Sequence, residues 1–116
     1  MSGLELVTMR PEALGWDQAV RLFLLRGRSK NIAEGTLRLY ERHLGAFLRW
    51  LAENGNAAPA EVTATHLRGW LDACKSRGNR STTVDCAFRI LRTFWRFLLR
   101  DGLIIVDPME KVERPR

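Results

Sequence analysis

One twenty-residue pattern occurs twice in this chain of 116 residues, and the repeat constrains the fold more than any other feature. The copies run from Thr36 to Gly55 and from Thr83 to Gly102. At equal offsets they pair Thr36 with Thr83, Arg42 with Arg89, Leu44 with Leu91, Phe47 with Phe94, Arg49 with Arg96, Leu51 with Leu98 and Gly55 with Gly102. At about 100° per residue, the leucines and phenylalanines share one helix face and the arginines lie almost opposite. The repeat therefore predicts two equivalent amphipathic helices, each stopped by a glycine.

Helical periodicity and stop signals predict four main helices. In chain order these are about Glu12 to Leu25, about Ala33 to Glu53, Ala64 to about Ser76 with Thr63 as N-cap, and Thr82 to Arg100 with Ser81 as N-cap. Residues 27–31 are expected to form a polar connector, and residues 103–106 a short strand-like stretch packed on the bundle. Because no useful β-alternation occurs and the loops are short, the predicted fold is all-α, with consecutive helices as neighbours.

The apolar stripes of the second and fourth helices are expected to pack against each other. The second helix contributes Tyr40, Leu44, Phe47, Leu48 and Leu51, and the fourth contributes Phe88, Leu91, Phe94, Trp95 and Leu98. An aromatic stripe at helical spacing is core more often than a stacking platform for bases, so we interpret it as core.

The positive charge is concentrated in two regions. The net charge is +6, and residues 75–100 alone carry seven basic residues against Asp85. Residues 21–49 carry seven more against Glu34 and Glu41. A solvated helix face usually interleaves acids with its bases, whereas clustered arginine is typical of a protein that binds a polyanion. The charge distribution therefore favours a nucleic-acid partner.

Several other classes of protein are disfavoured by composition. No apolar run approaches the length of a membrane span, and no signal peptide is recognisable at the N-terminus. The thiols of Cys74 and Cys86 are expected to be buried and reduced, as in a cytoplasmic protein. Together with His43 and His66 they do not complete a zinc spacing, so neither a metal nor a cofactor is expected.

Four segments of the chain occur in a characteristic order: Thr36–Gly55, Glu61–Leu71, Ser81–Ile104 and Asp107–Arg116. Together they resemble the N-terminal core-binding domain of tyrosine recombinases and phage integrases. The resemblance covers about residues 14–116 and implies a four-helix, SAM-like bundle of two crossed helical hairpins. It divides the chain into a flexible segment 1–13, a DNA-binding domain 14–107 and the start of a linker at 108–116. The chain departs from the family at Ala33, where a capping serine is common, and at Asp107, where Asn-Pro is usual.

The resemblance implies a domain that binds DNA and does not cut it. The family's chemistry uses two arginines, a lysine, histidines and a nucleophilic tyrosine, all in a C-terminal catalytic domain that is expected to be absent here. Neither His43 nor His66 is followed by arginine at the third position, and Tyr40 lies among apolar positions. No catalytic residue is therefore expected in this chain.

In the family, the second and fourth helices lie across the major groove, and their N-terminal halves and preceding loops make most of the contacts. By position, this implies the following DNA-binding residues: Lys30, Asn31, Arg38, Arg42, Arg80, Ser81, Thr82, Thr83, Arg89 and Arg92. Arg49 and Arg96 lie further towards the C-termini and are expected to matter less. Arg100, near the last turn, is expected to oppose the helix dipole.

The implied partners are double-stranded DNA at a recombination core site and other recombinase protomers on that DNA, with no membrane. The fragment alone is expected to be a monomer. The alternative is a helical protein–protein interaction module without DNA affinity, for which the SAM-like fold offers an analogy. That alternative predicts an exposed apolar patch. An independent enzyme is disfavoured because no convergent catalytic set is present.

Overall fold

The computed structural model describes residues 14–116, which form an all-α bundle. The helices are α1 (Trp16–Ser29), α2 (Glu34–Glu53), α3 (Ala64–Ser76) and α4 (Ser81–Arg100), with 3₁₀ turns at Pro59–Glu61 and Pro108–Lys111. Helix α1 packs on α2, α3 packs on α4, and α4 also contacts α1 and α2. The described residues contain no strand, and no helix among them is long and apolar enough to cross a bilayer. The predicted all-α bundle of four helices is confirmed.

The two copies of the repeat form helices of equal length that end in the same way. Both α2 and α4 have 20 residues. Just beyond α2, the backbone N–H of Asn56 donates to the carbonyl of Leu51 at 2.7 Å, and beyond α4 the N–H of Leu103 donates to Leu98 at 2.8 Å. These bonds close a Schellman motif, which requires a left-handed residue after the helix. Gly55 (φ 136°) and Gly102 (φ 72°) supply the positive φ.

Helix α1 differs from its prediction at the C-terminal end. The predicted start at Glu12 lies outside the described residues, within which the helix begins at Trp16. The predicted end at Leu25 is wrong, because the helix continues to Ser29. Gly27 does not break it but lets α2 approach, since a Cβ at this position would lie 2.6 Å from a methyl carbon of Leu37. The left-handed residue that ends α1 is Asn31 (φ 59°).

The core is centred on α4 and on the aromatic residues of α1. The buried residues of α4 are Val84, Ala87, Phe88, Ile90, Leu91, Phe94, Trp95, Phe97 and Leu98. The ring of Trp16 lies against Phe47 and Phe94, with ring centroids 6.0 and 6.4 Å away. Its indole N–H donates to the carbonyl of Ala57 at 2.9 Å. The two repeat copies therefore meet at a tryptophan of α1 as well as in direct contact, which the repeat alone does not predict.

The C-terminal segment packs on the bundle without forming a strand. The strand-like stretch predicted at residues 103–106 is wrong: Ile104 is buried, but Ile105 and Val106 are 83% and 68% exposed. The Asp107 side chain accepts a hydrogen bond from the N–H of Met109 at 2.8 Å and starts the last 3₁₀ turn. Residues 108–112 contact α3 and α4, with Met109 and Val112 buried. Where the domain ends and a linker begins stays a prediction.

The two thiols are free. Cys74 is buried and Cys86 is half-buried, and they form no disulfide. Burial raises the pKa of the Cys74 thiol, against a smaller opposing effect from Arg77. Cys74 is therefore protonated and unreactive at neutral pH.

Candidate nucleic-acid interface

The two predicted arginines of α2 lie on its solvent face. Arg38 and Arg42 are exposed, whereas Leu37 and Leu44 on the other face are buried. Within residues 14–116, neither guanidinium forms a hydrogen bond, an ion pair or a contact over an aromatic ring. Among the described residues, nothing therefore neutralises either positive charge.

The loop before α2 leads into a helix start that no side chain caps. Lys30 and Asn31 are exposed, and Asn31 adopts the left-handed conformation described above. Ala33 is the N-cap residue, and it makes no side-chain hydrogen bond to the first turn. Helix α2 thus begins one residue later than predicted, and Asn31 does not replace the missing cap.

The start of α4 is also uncapped, contrary to prediction. Ser81 is the first helical residue and not the cap, and the N-cap position is occupied by Arg80, which makes no side-chain capping bond. Arginine lacks the short acceptor side chain that a cap requires. Helix α3 differs, because Thr63 caps it as predicted by accepting a hydrogen bond from the N–H of His66 at 3.3 Å. The first amides of α2 and α4 therefore have no side-chain acceptor of their own.

Arg80, Ser81, Thr82 and Thr83 are all exposed at this helix start. Three small hydroxyl side chains follow one arginine, so an anion can approach the backbone closely here. The free N–H groups and the positive end of the helix dipole favour a phosphate at such a position.

Arg89 is exposed but is not free. Its Nε–H donates to Asp85 Oδ2 at 3.1 Å, one helical turn earlier on α4. The same carboxylate accepts two hydrogen bonds from Arg114 in the C-terminal segment, at 2.6 and 3.0 Å. Hydrogen bonding by Arg114 is the main reason that the pKa of Asp85 is lowered; desolvation opposes it, and the charges of Arg114 and Arg89 add to it. Asp85 is therefore ionised at neutral pH.

Arg92 is more restricted than the other predicted residues. Its side chain is half-buried, and its guanidinium carbon lies 5.3 Å from the centroid of the Phe88 ring. Arg26 and Arg77 lie over Phe97 and Trp70 in the same way, at 5.5 Å each. A cation held over a ring keeps its charge but loses freedom to reach a ligand. Arg92 contributes positive potential from a fixed position.

The basic charge of the surface is largely uncompensated. Within residues 14–116, the only ion pairs shorter than 4 Å are those of Asp85 with Arg89 and Arg114. Asp85 is also the only acid of α4. Seven basic residues between positions 75 and 100 thus project a positive potential with no free carboxylate on that helix.

Sequence reasoning missed Arg114 and its pairing with Asp85. The spacing of Asp85 and Arg89 at i and i+4 is the signal that predicts their pairing. No comparable signal predicts Arg114, which is 29 residues away in sequence and reaches Asp85 only because the C-terminal segment folds back.

The chain is similar to known proteins along most of its length. A family model described as phage integrase, N-terminal SAM-like domain, matches residues 24–102. Tyrosine recombinase XerC of Listeria innocua is 32% identical over 87 residues, which are 75% of this chain and 29% of that protein. Tyrosine recombinase XerD of Chlorobaculum tepidum is 26% identical over 102 residues, which are 87% of this chain and 33% of that protein. The chain therefore spans about a third of the length of the curated relatives it matches.

A solved structure shows the same fold. The solution NMR structure of the integrase-like domain from Bacillus cereus matches with a TM-score of 0.75 at 17% identity. The match covers 93% of this chain and 89% of that chain. At this identity the likeness concerns the fold of the bundle.

Proposed function

Because the chain belongs to the family of phage integrase N-terminal SAM-like domains, we propose that it is the DNA-binding domain of a tyrosine recombinase. It holds duplex DNA at a recombination site and performs no catalysis itself. Its partners are double-stranded DNA and, in the assembled recombinase, other protomers on that DNA. The domain performs this function on DNA in the cytoplasm.

The observation that carries the proposal is the pair of basic, uncapped N-terminal halves of α2 and α4. Each begins without a side-chain cap, and each places an arginine of the repeat, Arg42 or Arg89, opposite its buried face. An uncapped helix start offers amides and a positive dipole end that suit phosphate oxygens, and an arginine further along the helix offers a charged fork that suits a phosphate or a base edge. Two such helices on one small domain support a duplex as the ligand.

The exposed residues divide into two roles. Lys30, Arg38, Arg42 and Arg80 supply charge to phosphates, while Asn31, Ser81, Thr82 and Thr83 allow close backbone approach and donate hydrogen bonds. Most protein–DNA hydrogen bonds go to the backbone and position the protein without reading sequence. If about five phosphates are neutralised, log K falls with log salt at a slope of about −4 to −5.

The protein-interaction alternative has weaker support. Four large apolar side chains are exposed among the described residues, and of these only Ile105 and Val106 are adjacent in sequence. They lie between α4 and the last 3₁₀ turn, outside the basic helices. A contact there is compatible with DNA binding elsewhere, so it does not replace the proposed function.

Fluorescence anisotropy with a labelled duplex tests the proposal through two double variants. Arg42→Gln/Arg89→Gln is expected to weaken binding roughly tenfold or more, because it removes two charge-assisted contacts. It also reduces the magnitude of the salt slope by about one or more. The matched control is Arg49→Gln/Arg96→Gln, which makes the same charge change on the same helices, roughly 10 Å further along each one.

The control is expected to lose less affinity than the Arg42/Arg89 variant. Equal losses of affinity in the two variants would mean that only the net charge matters. That result would contradict the assigned contact positions. Binding by the wild type that does not respond to salt would contradict a phosphate-contacting function altogether.

A further inference from the structure

Asp85 occupies an unexpected position for an acidic residue. It is the only acid in residues 75–100, and the repeat aligns it with Arg38 of α2, since both lie four residues before the repeated arginine. Its side chain is 24% exposed and forms its hydrogen bonds with two exposed arginines, not with core residues. A free carboxylate at this point would repel a phosphate backbone and oppose the basic helix.

Two arginines share this carboxylate. Arg114 donates through Nε to Oδ1 and through Nη2 to Oδ2, which is the two-bond geometry that fits a guanidinium to a carboxylate. Oδ2 also accepts the bond from Nε of Arg89. The charge of Asp85 is therefore satisfied, and neither arginine can turn freely towards a phosphate while the bonds persist.

Arg114 reaches Asp85 because the segment before it is packed on the bundle. Val112 is buried, and the carbonyl of Lys111 accepts a hydrogen bond from Arg68 Nη2 of α3 at 3.0 Å. These contacts fix the chain two and three residues before Arg114. The C-terminal segment is thus attached to the outer face of α4 beside Arg89.

The bond from Arg89 leaves its outer end available. Only Nε is used, and within residues 14–116 the two terminal nitrogens have no hydrogen-bond partner. The side chain remains 54% exposed. Two parallel N–H donors are the pattern that pairs with O6 and N7 of guanine in the major groove. An arginine already held by a carboxylate loses less side-chain entropy on making that contact.

We propose that Asp85, itself held by Arg114, orients Arg89 to read a base edge and keeps both arginines off the phosphates, so that it determines specificity at the cost of non-specific affinity. The inference rests on the proposed DNA-binding function. Asp85 is a positioning residue in this scheme, since it acts through Arg89 and does not itself contact DNA.

The variant Asp85→Asn tests the proposal because it keeps the size of the side chain and removes its charge. Binding to a mixed-sequence duplex is expected to tighten several-fold, and the salt slope to steepen by about one to two as one or both arginines reach phosphates. Selection from a duplex library with randomised positions is expected to give a weaker base preference than the wild type does.

Glu41→Gln is the matched control, because it removes one exposed negative charge from α2 and touches neither arginine. It is expected to tighten binding slightly and to leave the base preference unchanged. Arg114→Gln is the second variant: it exposes the Asp85 charge, so it is expected to weaken binding, and Asp85→Asn is expected to tighten binding by a larger factor in this background than in the wild type. Additive effects in that cycle would contradict the proposal.

The outcomes separate this inference from the proposed function. If the wild type shows no salt-dependent affinity for duplex DNA, both fail. If the wild type binds but Asp85→Asn matches Glu41→Gln in salt slope and base preference, only the role of Asp85 is overturned. A wild-type selection that yields no base preference overturns it as well.

Discussion

The pKa of His43, in the basic region of α2, depends on the folded structure around it. It is half-buried on α2, next to the exposed Arg42. Burial, and secondly the positive charge of Arg42, hold the pKa of His43 below its usual value. The folded protein therefore keeps this imidazole neutral to a lower pH than the unfolded chain does. As the pH falls through the usual value, the unfolded state takes up a proton first, and stability decreases.

We predict that the melting temperature falls as the pH is lowered from about 7.5 to about 5.5, and that His43→Gln reduces this decrease. Because the ring is partly solvated, the contribution of His43 is at most a few degrees. Thermal unfolding followed by circular dichroism at both pH values measures it. A pH dependence identical in the two proteins would show that His43 does not contribute.

At the scale of secondary-structure elements, the two copies of the repeat differ in the glycine turns that end α2 and α4. Both α2 and α4 stop through a glycine with positive φ, but the two glycines are not equivalent. Gly102 has a φ of 72° with open space around it. Gly55 has a φ of 136°, and a Cβ there would lie 2.9 Å from Nε2 of His66. The repeat therefore places the same residue type in a tolerant and an intolerant environment.

Alanine at the two positions is predicted to destabilise the protein unequally. Gly102→Ala is expected to lower the free energy of unfolding by about 1 kcal/mol, which is the cost of a left-handed alanine. Gly55→Ala is expected to cost about 2–4 kcal/mol, because its φ is rarer for L-residues and its Cβ meets the imidazole. Urea denaturation of both variants measures the difference, and equal losses would contradict the described turn at Gly55.

Much of the helical architecture follows from sequence because local signals decide it. Both ends of helix α3 are predicted correctly, since Thr63 caps it and Gly78 follows its end. The end of α1 is missed because Gly27 normally suggests a break, whereas here its missing side chain accommodates Leu37. Tertiary packing overrides local propensity in that case.

The candidate site is predictable only in part. Helical periodicity identifies Arg38 and Arg42 as solvent-facing, and the structure places them there. Their contact with DNA stays a prediction. The pairing of Asp85 with Arg114 depends on the path of the C-terminal segment, and no local pattern encodes a contact across 29 residues.

At the scale of the whole molecule, α1 packs on α2 and α3 packs on α4, and the two pairs form one bundle. Helix α4 contacts all three other helices, so its basic face is fixed relative to the core. The domain alone is expected to bind non-specific duplex DNA weakly, with a Kd of about 1 μM or above at physiological salt. Linking it to a second DNA-binding module would raise the effective affinity without any new contact.

The central claim is that duplex DNA contacts the N-terminal halves of α2 and α4. Amide chemical-shift mapping of the ¹⁵N-labelled chain during titration with a short duplex tests it most directly. The largest changes are expected within residues 30–42 and 80–92, and they should reverse on addition of salt because counterion release drives the binding. Changes confined to α1, α3 or the Ile105–Val106 turn, or no changes at all, would contradict the account.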